Sequence, residues 1–408
     1  MRQLLKGRLR NAGGRGPPSP ASLARAASGT CPHQGGQANR KRLVRRNPPL
    51  WHTSRSVDIF RPDATRTSRT IPGGAVPAST FQDELRAFDV PTGRCCADFA
   101  LRPDRPRPAT LTSTVPRELV HRSAVAEVLL TGWRRVDDTR FVISAQWPRG
   151  HSFFTPVADG RHDPLIGCET LRQIGILLGH AEFGVPFGHQ FLIQDLHFAV
   201  RPQHLAVGYE PAALSISVTC TQVVRRGENL ARMRFEAVFR RNGQVAATGG
   251  GSFSCLAPKV YRRLRGAHLP SGDCGPSAPG SPTAPARVGR LSPMDVVLSP
   301  TDARNRWLLR ADTRHPVLFE HAVDHVPGMV LIEAARQATA VALDRPHYLP
   351  VNLACEFARY TELAQPCTIE ARPLSAPAPG GGRSVLATAV QSGVPVFTCT
   401  VTAAPDGD

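Results

Sequence analysis

Two sets of polar residues with the same types and spacing occur in this chain of 408 residues, one set 164 residues after the other. Each set has a His, a Glu 18 residues later, and an Arg-Gln pair that begins three residues after the Glu: His151, Glu169, Arg172 and Gln173, then His315, Glu333, Arg336 and Gln337. A carboxylate can accept a proton, and a guanidinium can hold an anion. Four matching identities in one register indicate an internal duplication with a candidate site in each copy.

The two glutamates interrupt stretches in which apolar residues recur at helical spacing, from Asp163 to about Phe183 and from Gly328 to about Leu343. Burial of a carboxylate on such a helix predicts a raised pKa and acid or base chemistry near neutral pH. Glu169, Glu333 and Arg336 are therefore candidate catalytic residues. An Arg three residues after the Glu can also pair with it, so a buried ion pair that only joins two subdomains is an open alternative.

The second helix is preceded by Pro327, and its first turn holds Gly328 and Met329. Proline is tolerated at a helix start, and glycine allows a ligand to approach the backbone closely. First-turn amides would then offer an anion or oxyanion site, so Gly328 and Met329 are candidate substrate-binding residues. The first copy has Pro164 at the position of the glycine, which predicts that the two copies have divided chemistry and recognition between them.

Three histidines precede the second helix, at positions 315, 321 and 325, and they predict a wall of the site. His321 is a candidate catalytic residue. Candidate substrate-binding residues are Arg172, Gln173, Gln337, His151 and His315. His-x3-His with one Glu is weak support for a metal, so no metal and no cofactor are expected.

The order of elements also recurs. Each copy is predicted to contain two strands, one long helix and three further strands, with hairpin turns at Asn242-Gly243 and Ser392-Gly393. One buried helix wrapped by a curved antiparallel sheet is the hot-dog architecture. The prediction is an α+β fold with two tandem hot-dog domains, 113–256 and 291–405, that form an intrachain pseudo-dimer. A disordered basic extension is expected at 1–112 and a Pro/Gly/Ser-rich linker at 257–290.

The formal net charge of +18 does not predict a nucleic-acid partner, because residues 1–110 hold 20 Lys and Arg against 7 Asp and Glu and so carry +13 of it. The ten cysteines include no CxxC pair, which favours a reducing, cytoplasmic location. No apolar run of about 18 residues predicts a membrane span.

Two families share motifs with the chain. The segment Pro-Gly-Met-Val-Leu-Ile-Glu-Ala-Ala-Arg-Gln at 327–337 resembles the helix start of the β-hydroxyacyl-carrier-protein dehydratases. His321 is the nearest match to their catalytic His, but it lies about two residues closer to the helix. A resemblance over almost all of 115–405 is to the A-factor biosynthesis (AfsA-type) proteins, which are double hot-dog proteins. It is carried by segments 127–133, 145–149, 163–165, 169–173, 183–186 and 321–337.

The AfsA-type resemblance implies synthesis of γ-butyrolactone signals. A β-ketoacyl group would move from an acyl-carrier protein to the hydroxyl of dihydroxyacetone phosphate, and the ester would close to a butenolide phosphate. Glu169 or Glu333 would act as base, the Gly328 and Met329 amides would bind the oxyanion, and Arg336 or Arg172 would bind phosphate. The alternatives are a hot-dog dehydratase or thioesterase, and a non-catalytic ligand-binding regulator.

Overall fold

The structure is a computed structural model that describes residues 112–266 and 279–405, with short gaps at 377 and 379–380. The expected disordered extension therefore lies outside the described residues, apart from its last residue. Residues 267–278 of the expected linker lie outside them as well. All of the elements below belong to one compact unit.

Each copy has the order strand, strand, helix and four strands. The first copy contains β1 Leu130–Arg135, β2 Arg140–Trp147, α1 Leu165–Ala181, β3 Gln190–Val200, β4 Ala212–Arg226, β5 Asn229–Arg241 and β6 Gln244–Leu256. A short helix, α2 Pro258–Arg265, follows. The second copy contains β7 Leu298–Pro300, β8 Arg306–Leu309, α3 Gly328–Leu343, β9 Pro350–Phe357, β10 Cys367–Pro373, β11 Arg383–Gln391 and β12 Val394–Ala403.

All twelve described strands form one antiparallel sheet in the order β1-β2-β4-β5-β6-β3-β9-β12-β11-β10-β8-β7. The second half of this order repeats the first half in reverse, as two copies related by a pseudo-twofold axis require. The copies join where β3 pairs with β9, from Asp195 opposite Glu356 to Ala199 opposite Asn352. The predicted pair of hot-dog domains with their sheets side by side is confirmed.

The predicted order has three strands after each long helix, whereas the structure has four. In the second copy, no predicted strand corresponds to β9. This strand begins at a proline, and only six residues separate it from the end of α3, so its local sequence is typical of a loop. Its partners are β3 of the other copy and β12 near the end of the chain. Tertiary pairing therefore makes it a strand.

The two predicted hairpin turns are confirmed. Asn242 and Gly243 have φ angles of 50° and 78°, and Ser392 and Gly393 have 52° and 75°. Positive φ at both central residues gives the turn a twist that matches the flanking strands.

Helices α1 and α3 are buried on nearly all sides, because the sheet curves around them. Glycines allow α1 to lie against the strands. A Cβ at Gly167 would lie 2.0 Å from the ring of Phe198, and one at Gly179 would lie 2.5 Å from the ring of Phe191. The polar residues of these helices therefore point into the packed centre of the molecule.

The segment predicted as a linker, 257–290, begins with helix α2. Helix α2 buries Tyr261 and Arg265 against the second copy, through Asp324 and Glu362. The basic residues on this short helix outnumber its apolar residues, so sequence periodicity did not indicate it.

Candidate functional site

A cavity of about 650 Å³ lies between the two copies. Its first-copy wall comes from α1, β3 and β6, and its second-copy wall comes from residues 317–332 and 357–361. Much of the wall is apolar, through Leu171, Ile176, Phe191, Phe253, Met329 and Ile332. Another part is polar and charged, through His121, Arg122, Arg172, Glu320 and His321. The space therefore suits a ligand with an apolar chain and an anionic group.

Glu169 does not itself line the cavity, but it pairs with Arg122 and Arg172, which do. Its side chain is 1% exposed and accepts hydrogen bonds from Arg172 Nε at 2.8 Å, from Arg172 Nη2 at 2.9 Å and from Gln173 Nε2 at 2.7 Å. Arg122 Nη2 lies 2.6 Å from the same carboxylate. Two guanidinium groups thus flank one buried carboxylate.

The predicted rise in the pKa of Glu169 is wrong. Burial by itself raises the pKa, but the charges of Arg122 and Arg172 outweigh it and lower the pKa to about 2. The carboxylate is therefore ionised at neutral pH and poorly suited to take a proton.

The two arginines of this cluster differ in the number of their acidic partners and in their exposure to solvent. Arg122 also donates from Nη1 to Glu320 Oε2 at 2.8 Å, and the other Glu320 oxygen accepts from the amides of Ser123 and Ala124. The side chain of Arg122 is 7% exposed, whereas that of Arg172 is 25% exposed. Arg172 is therefore the cation that this cluster presents to a ligand.

The second copy contains a similar cluster, but it is closed. Glu333 accepts from Arg290 Nε at 2.7 Å, Arg336 Nη2 at 2.7 Å and Gln337 Nε2 at 2.6 Å. The side chain of Glu333 is 0% exposed, and those of both arginines are 2% exposed. Burial raises the pKa of Glu333, but Arg290 and Arg336 lower it to about 2, so the predicted rise is wrong here too.

Residues of the first copy fill the space beside this second cluster. The guanidinium of Arg290 lies 4.3 Å from the ring centre of Phe153 and donates to the Phe153 carbonyl at 2.6 Å. Asp163 lies 3.6 Å from Arg290 and accepts from the amide of Leu165, so it caps the start of α1. Glu333 and Arg336 do not line the cavity.

The glutamines and histidines of the duplicated sets form hydrogen bonds and ion pairs within their own copies. Gln173 and Gln337 donate to the carbonyls of Glu127 and Asp295, both at 2.8 Å. His315 Nε2 lies 3.1 Å from Asp295, and His315 Nδ1 accepts two backbone amides of the following turn. His151 repeats this arrangement with Glu127 at 3.4 Å. These four predicted substrate-binding residues do not line the cavity.

Sequence reasoning missed Arg122 and Arg290. They are 168 residues apart, whereas the members of the duplicated sets are 164 apart. The difference arises because the segment from Leu298 to His315 in the second copy is four residues shorter than the segment from Leu130 to His151 in the first. A signal was present, since each arginine lies five residues before an acid, Glu127 or Asp295, in matching sequence. A gapped comparison of the copies would have found the pair.

Sequence reasoning also missed a pair of histidines. His121 lines the cavity, and its Nε2 lies 2.8 Å from Nε2 of His180. His180 Nδ1 lies 2.7 Å from the Val185 carbonyl, which can only accept, so His180 Nδ1 carries the proton. His180 Nε2 then accepts from His121 Nε2, and a lone pair remains on His121 Nδ1.

The environment keeps His121 neutral. Burial lowers its pKa, and the nearby His180 and Arg172 lower it further, to about 4. The backbone of His121 has a φ of 51°, which is uncommon outside glycine. Burial and Arg172 also lower the pKa of His321, which lines the same cavity. The charged wall therefore contains two neutral imidazoles.

Gly328 and Met329 line the cavity at the first turn of α3. Amides of the first turn have no partner within their helix, so they can bind an anion. A Cβ at Gly328 would lie 3.1 Å from the ring of Phe357. The structure thus brings the helix start of the second copy to the same cavity as the arginine cluster of the first. The corresponding helix start in the first copy differs, because Asp163 accepts the amide of Leu165 there.

No group of three or more His, Cys, Asp or Glu side chains suited to a metal ion occurs within residues 112–266 and 279–405. None of the described helices is long and apolar enough to cross a membrane.

Known proteins match the chain along both copies. The family model described as A-factor biosynthesis hotdog domain matches residues 104–257 and 278–405. A 2-oxo-3-(phosphooxy)propyl 3-oxoalkanoate synthase of Streptomyces virginiae is 54% identical over 292 residues, which are 71% of this chain and 98% of that protein. A synthase of the same name from Streptomyces coelicolor is 40% identical over 289 residues, which are 70% of this chain and 90% of that protein. The structure of a putative oleoyl thioesterase from Lactobacillus plantarum has 12% sequence identity and a TM-score of 0.40, and the match covers 65% of this chain and 97% of that one. By the extent of the family match, the chain belongs to the A-factor biosynthesis hotdog family.

Proposed function

We propose that this protein transfers a 3-oxoacyl group from a carrier-protein thioester to the hydroxyl of dihydroxyacetone phosphate. The product is the ester that the relatives' name describes. The observation that supports this proposal most directly is the cavity, in which an apolar wall adjoins a wall with arginine and histidine side chains.

Arg172 binds the phosphate in this proposal. Its partner Glu169 occupies Nε and Nη2, and its partial exposure leaves donor capacity on the guanidinium for a phosphate oxygen. Glu169 holds the arginines in place, and it is not the base. Its two cationic partners would have to be displaced before it could take a proton.

His121 is the base in this proposal. Its Nδ1 takes the proton of the substrate hydroxyl as the oxygen attacks the thioester carbonyl, and His180 keeps the required tautomer. The oxyanion of the tetrahedral intermediate is held by the amides of Gly328 and Met329. When the intermediate collapses, the C–S bond breaks and the thiolate receives the proton from His121. A bound phosphate beside His121 would favour its protonated form during this exchange.

His321 lies in the same charged wall and donates a hydrogen bond to the substrate in this proposal. Glu333 and Arg336 have a different part. They maintain the second copy through the closed cluster and reach the chemistry only through the position of α3. In this proposal Glu333 and Arg336 are positioning residues, whereas the sequence predicts catalytic roles for them.

The experiment is a product analysis with the full chain. A 3-oxoacyl thioester is incubated with the protein, with and without dihydroxyacetone phosphate, and the products are identified by mass spectrometry. A phosphorylated ester, or a butenolide phosphate derived from it, that forms only with both substrates supports the transferase. Free acid or an enoyl thioester that forms regardless of the phosphate would support the thioesterase or dehydratase alternative. The absence of any turnover would favour a ligand-binding regulator.

A further inference from the structure

Helix α2 borders an opening of the cavity. Tyr261 and Leu264 belong to the cavity wall, and Leu264 is 58% exposed. A large apolar side chain that is both exposed to solvent and part of the wall marks a place where an acyl chain can enter. Arg359, which is also exposed, lines the cavity as well.

The helix is held firmly against the second copy. Tyr261 donates to Asp324 at 2.7 Å, and Arg265 pairs with Asp324 at 3.1 Å and with Glu362 at 2.5 Å. The guanidinium of Arg265 also lies 4.4 Å from the ring centre of Tyr360. These contacts use the acids near the opening, so they do not neutralise the other basic residues of the helix.

Four exposed basic residues lie on α2 or in the cavity wall, and we call them the basic rim: Lys259, Arg262, Arg263 and Arg359. Arg359 lines the cavity, and the other three belong to the short helix that also carries the lining residues Tyr261 and Leu264. None of them forms an ion pair with a residue that the structure describes. Four cations without acidic partners among the described residues, on or beside a helix that borders an apolar cavity, fit an acidic macromolecule that delivers a ligand into it.

Two hydroxyls without a described partner lie in the cavity wall, on the two residues that follow Arg359. The hydroxyl oxygens of Tyr360 and Thr361 are shielded from solvent and have no hydrogen-bond partner among the described residues, and both side chains line the cavity. Thr361 is 1% exposed. A buried hydroxyl without a partner is unfavourable, so a ligand with amide or carbonyl groups would stabilise this part of the wall.

We propose that the basic rim docks an acidic carrier protein, and that Tyr360 and Thr361 hydrogen-bond the amides of its pantetheine arm as the arm enters beside Leu264. This inference rests on the proposed function, because it names the surface that receives the thioester donor. The small acceptor binds at the charged wall, whereas the donor enters at the rim.

The test compares two charge-reversed variants of the full chain. The rim variant is Lys259→Glu, Arg262→Glu and Arg263→Glu, whose side chains do not line the cavity. The matched control is Arg201→Glu, Arg226→Glu and Arg240→Glu, three exposed cations on other strands and loops. Each is assayed with one 3-oxoacyl group presented either on a carrier protein or as its N-acetylcysteamine thioester.

We expect the rim variant to lose at least tenfold in kcat/KM with the carrier-bound donor, through KM, and to match the wild type with the small thioester. The control variant should match the wild type with both donors. Equal activity of the rim and control variants with the carrier-bound donor would overturn the docking surface.

Direct binding separates this inference from the proposed function. Titration of a pantetheine-bearing carrier protein into the wild-type chain should show binding that weakens at least tenfold in the rim variant and with added salt. No binding to the wild type would overturn the inference even if the small thioester is turned over. Binding without any ester product would instead refute the transferase while leaving the surface in place.

The arm contacts have their own variant. Thr361→Val keeps the shape of the side chain and removes its hydroxyl. With a 3-oxoacyl pantetheine thioester and no carrier protein, it should raise KM severalfold at equal or higher thermal stability, because the removed hydroxyl has no described partner. A KM equal to that of the wild type would remove Thr361 from the proposal.

Discussion

Replacement of equivalent arginines in the two copies should have opposite consequences. Arg172→Ala changes the open cluster, where the side chain is 25% exposed, and Arg336→Ala changes the closed cluster, where it is 2% exposed. Each arginine pairs with a Glu three residues earlier, so the two variants are matched chemically. What differs between them is access to the cavity.

The expected loss for Arg336→Ala is one of stability. Removal of one partner of a buried ion pair costs about 3–5 kcal/mol, because the other charge stays buried. Arg290 still pairs with Glu333 from 2.6 Å, so the lower end of that range, about 3 kcal/mol, is expected. At about 2 °C per kcal/mol for a fold of this size, the melting temperature should fall by roughly 6 °C.

The expected loss for Arg172→Ala is one of substrate binding. A hydrogen bond to a charged group contributes about 1.5–3 kcal/mol, which corresponds to roughly a 10- to 150-fold loss in kcat/KM for dihydroxyacetone phosphate. The melting temperature should fall less than in Arg336→Ala, because Arg172 is partly in water and Arg122 still pairs with the buried Glu169. Initial rates of ester formation and thermal unfolding of both purified variants measure these effects. An Arg336→Ala protein with unchanged melting temperature and no activity would refute the division of roles between the two clusters.

Three further outcomes are expected. His121→Phe should lower kcat at least a hundredfold with little effect on KM for the phosphate substrate, whereas equal kcat in single-turnover assays would exclude His121 as the base. The pKa of Glu333 is lowered from 4.5 to about 2, so its ionisation stabilises the fold above pH 4.5 and this contribution is lost as the pH falls towards 2. Urea unfolding midpoints should therefore fall over that window, and Glu333→Gln should flatten the dependence; parallel curves would contradict this. Gly328→Ala places a methyl group 3.1 Å from Phe357 and should lower kcat by shifting the first turn of α3, and an unchanged kcat would argue against an oxyanion role for these amides.

The candidate site was only partly accessible to sequence reasoning. The match between His151–Gln173 and His315–Gln337 located both clusters, and Gly328, Met329, Arg172 and His321 do line the cavity. The sign of the carboxylate pKa shift was wrong, because it depends on arginines that lie 47 and 43 residues before their glutamates. Burial of a lone carboxylate and burial between two guanidiniums have opposite effects, and spacing along the chain does not distinguish them.

The sequence by itself determined the duplication, the two central helices and the hairpins, because helical spacing and turn dipeptides act over a few residues. Only the tertiary structure decided which copy is open. Phe153 and Asp163 fill one cluster, while the start of α3 and the histidine pair leave space beside the other. The physical reason is that a pseudo-twofold axis places the helix start of each copy against the cluster of the other. Residues distant in sequence therefore determine which of the two clusters a ligand can reach, and no local sequence pattern predicts it.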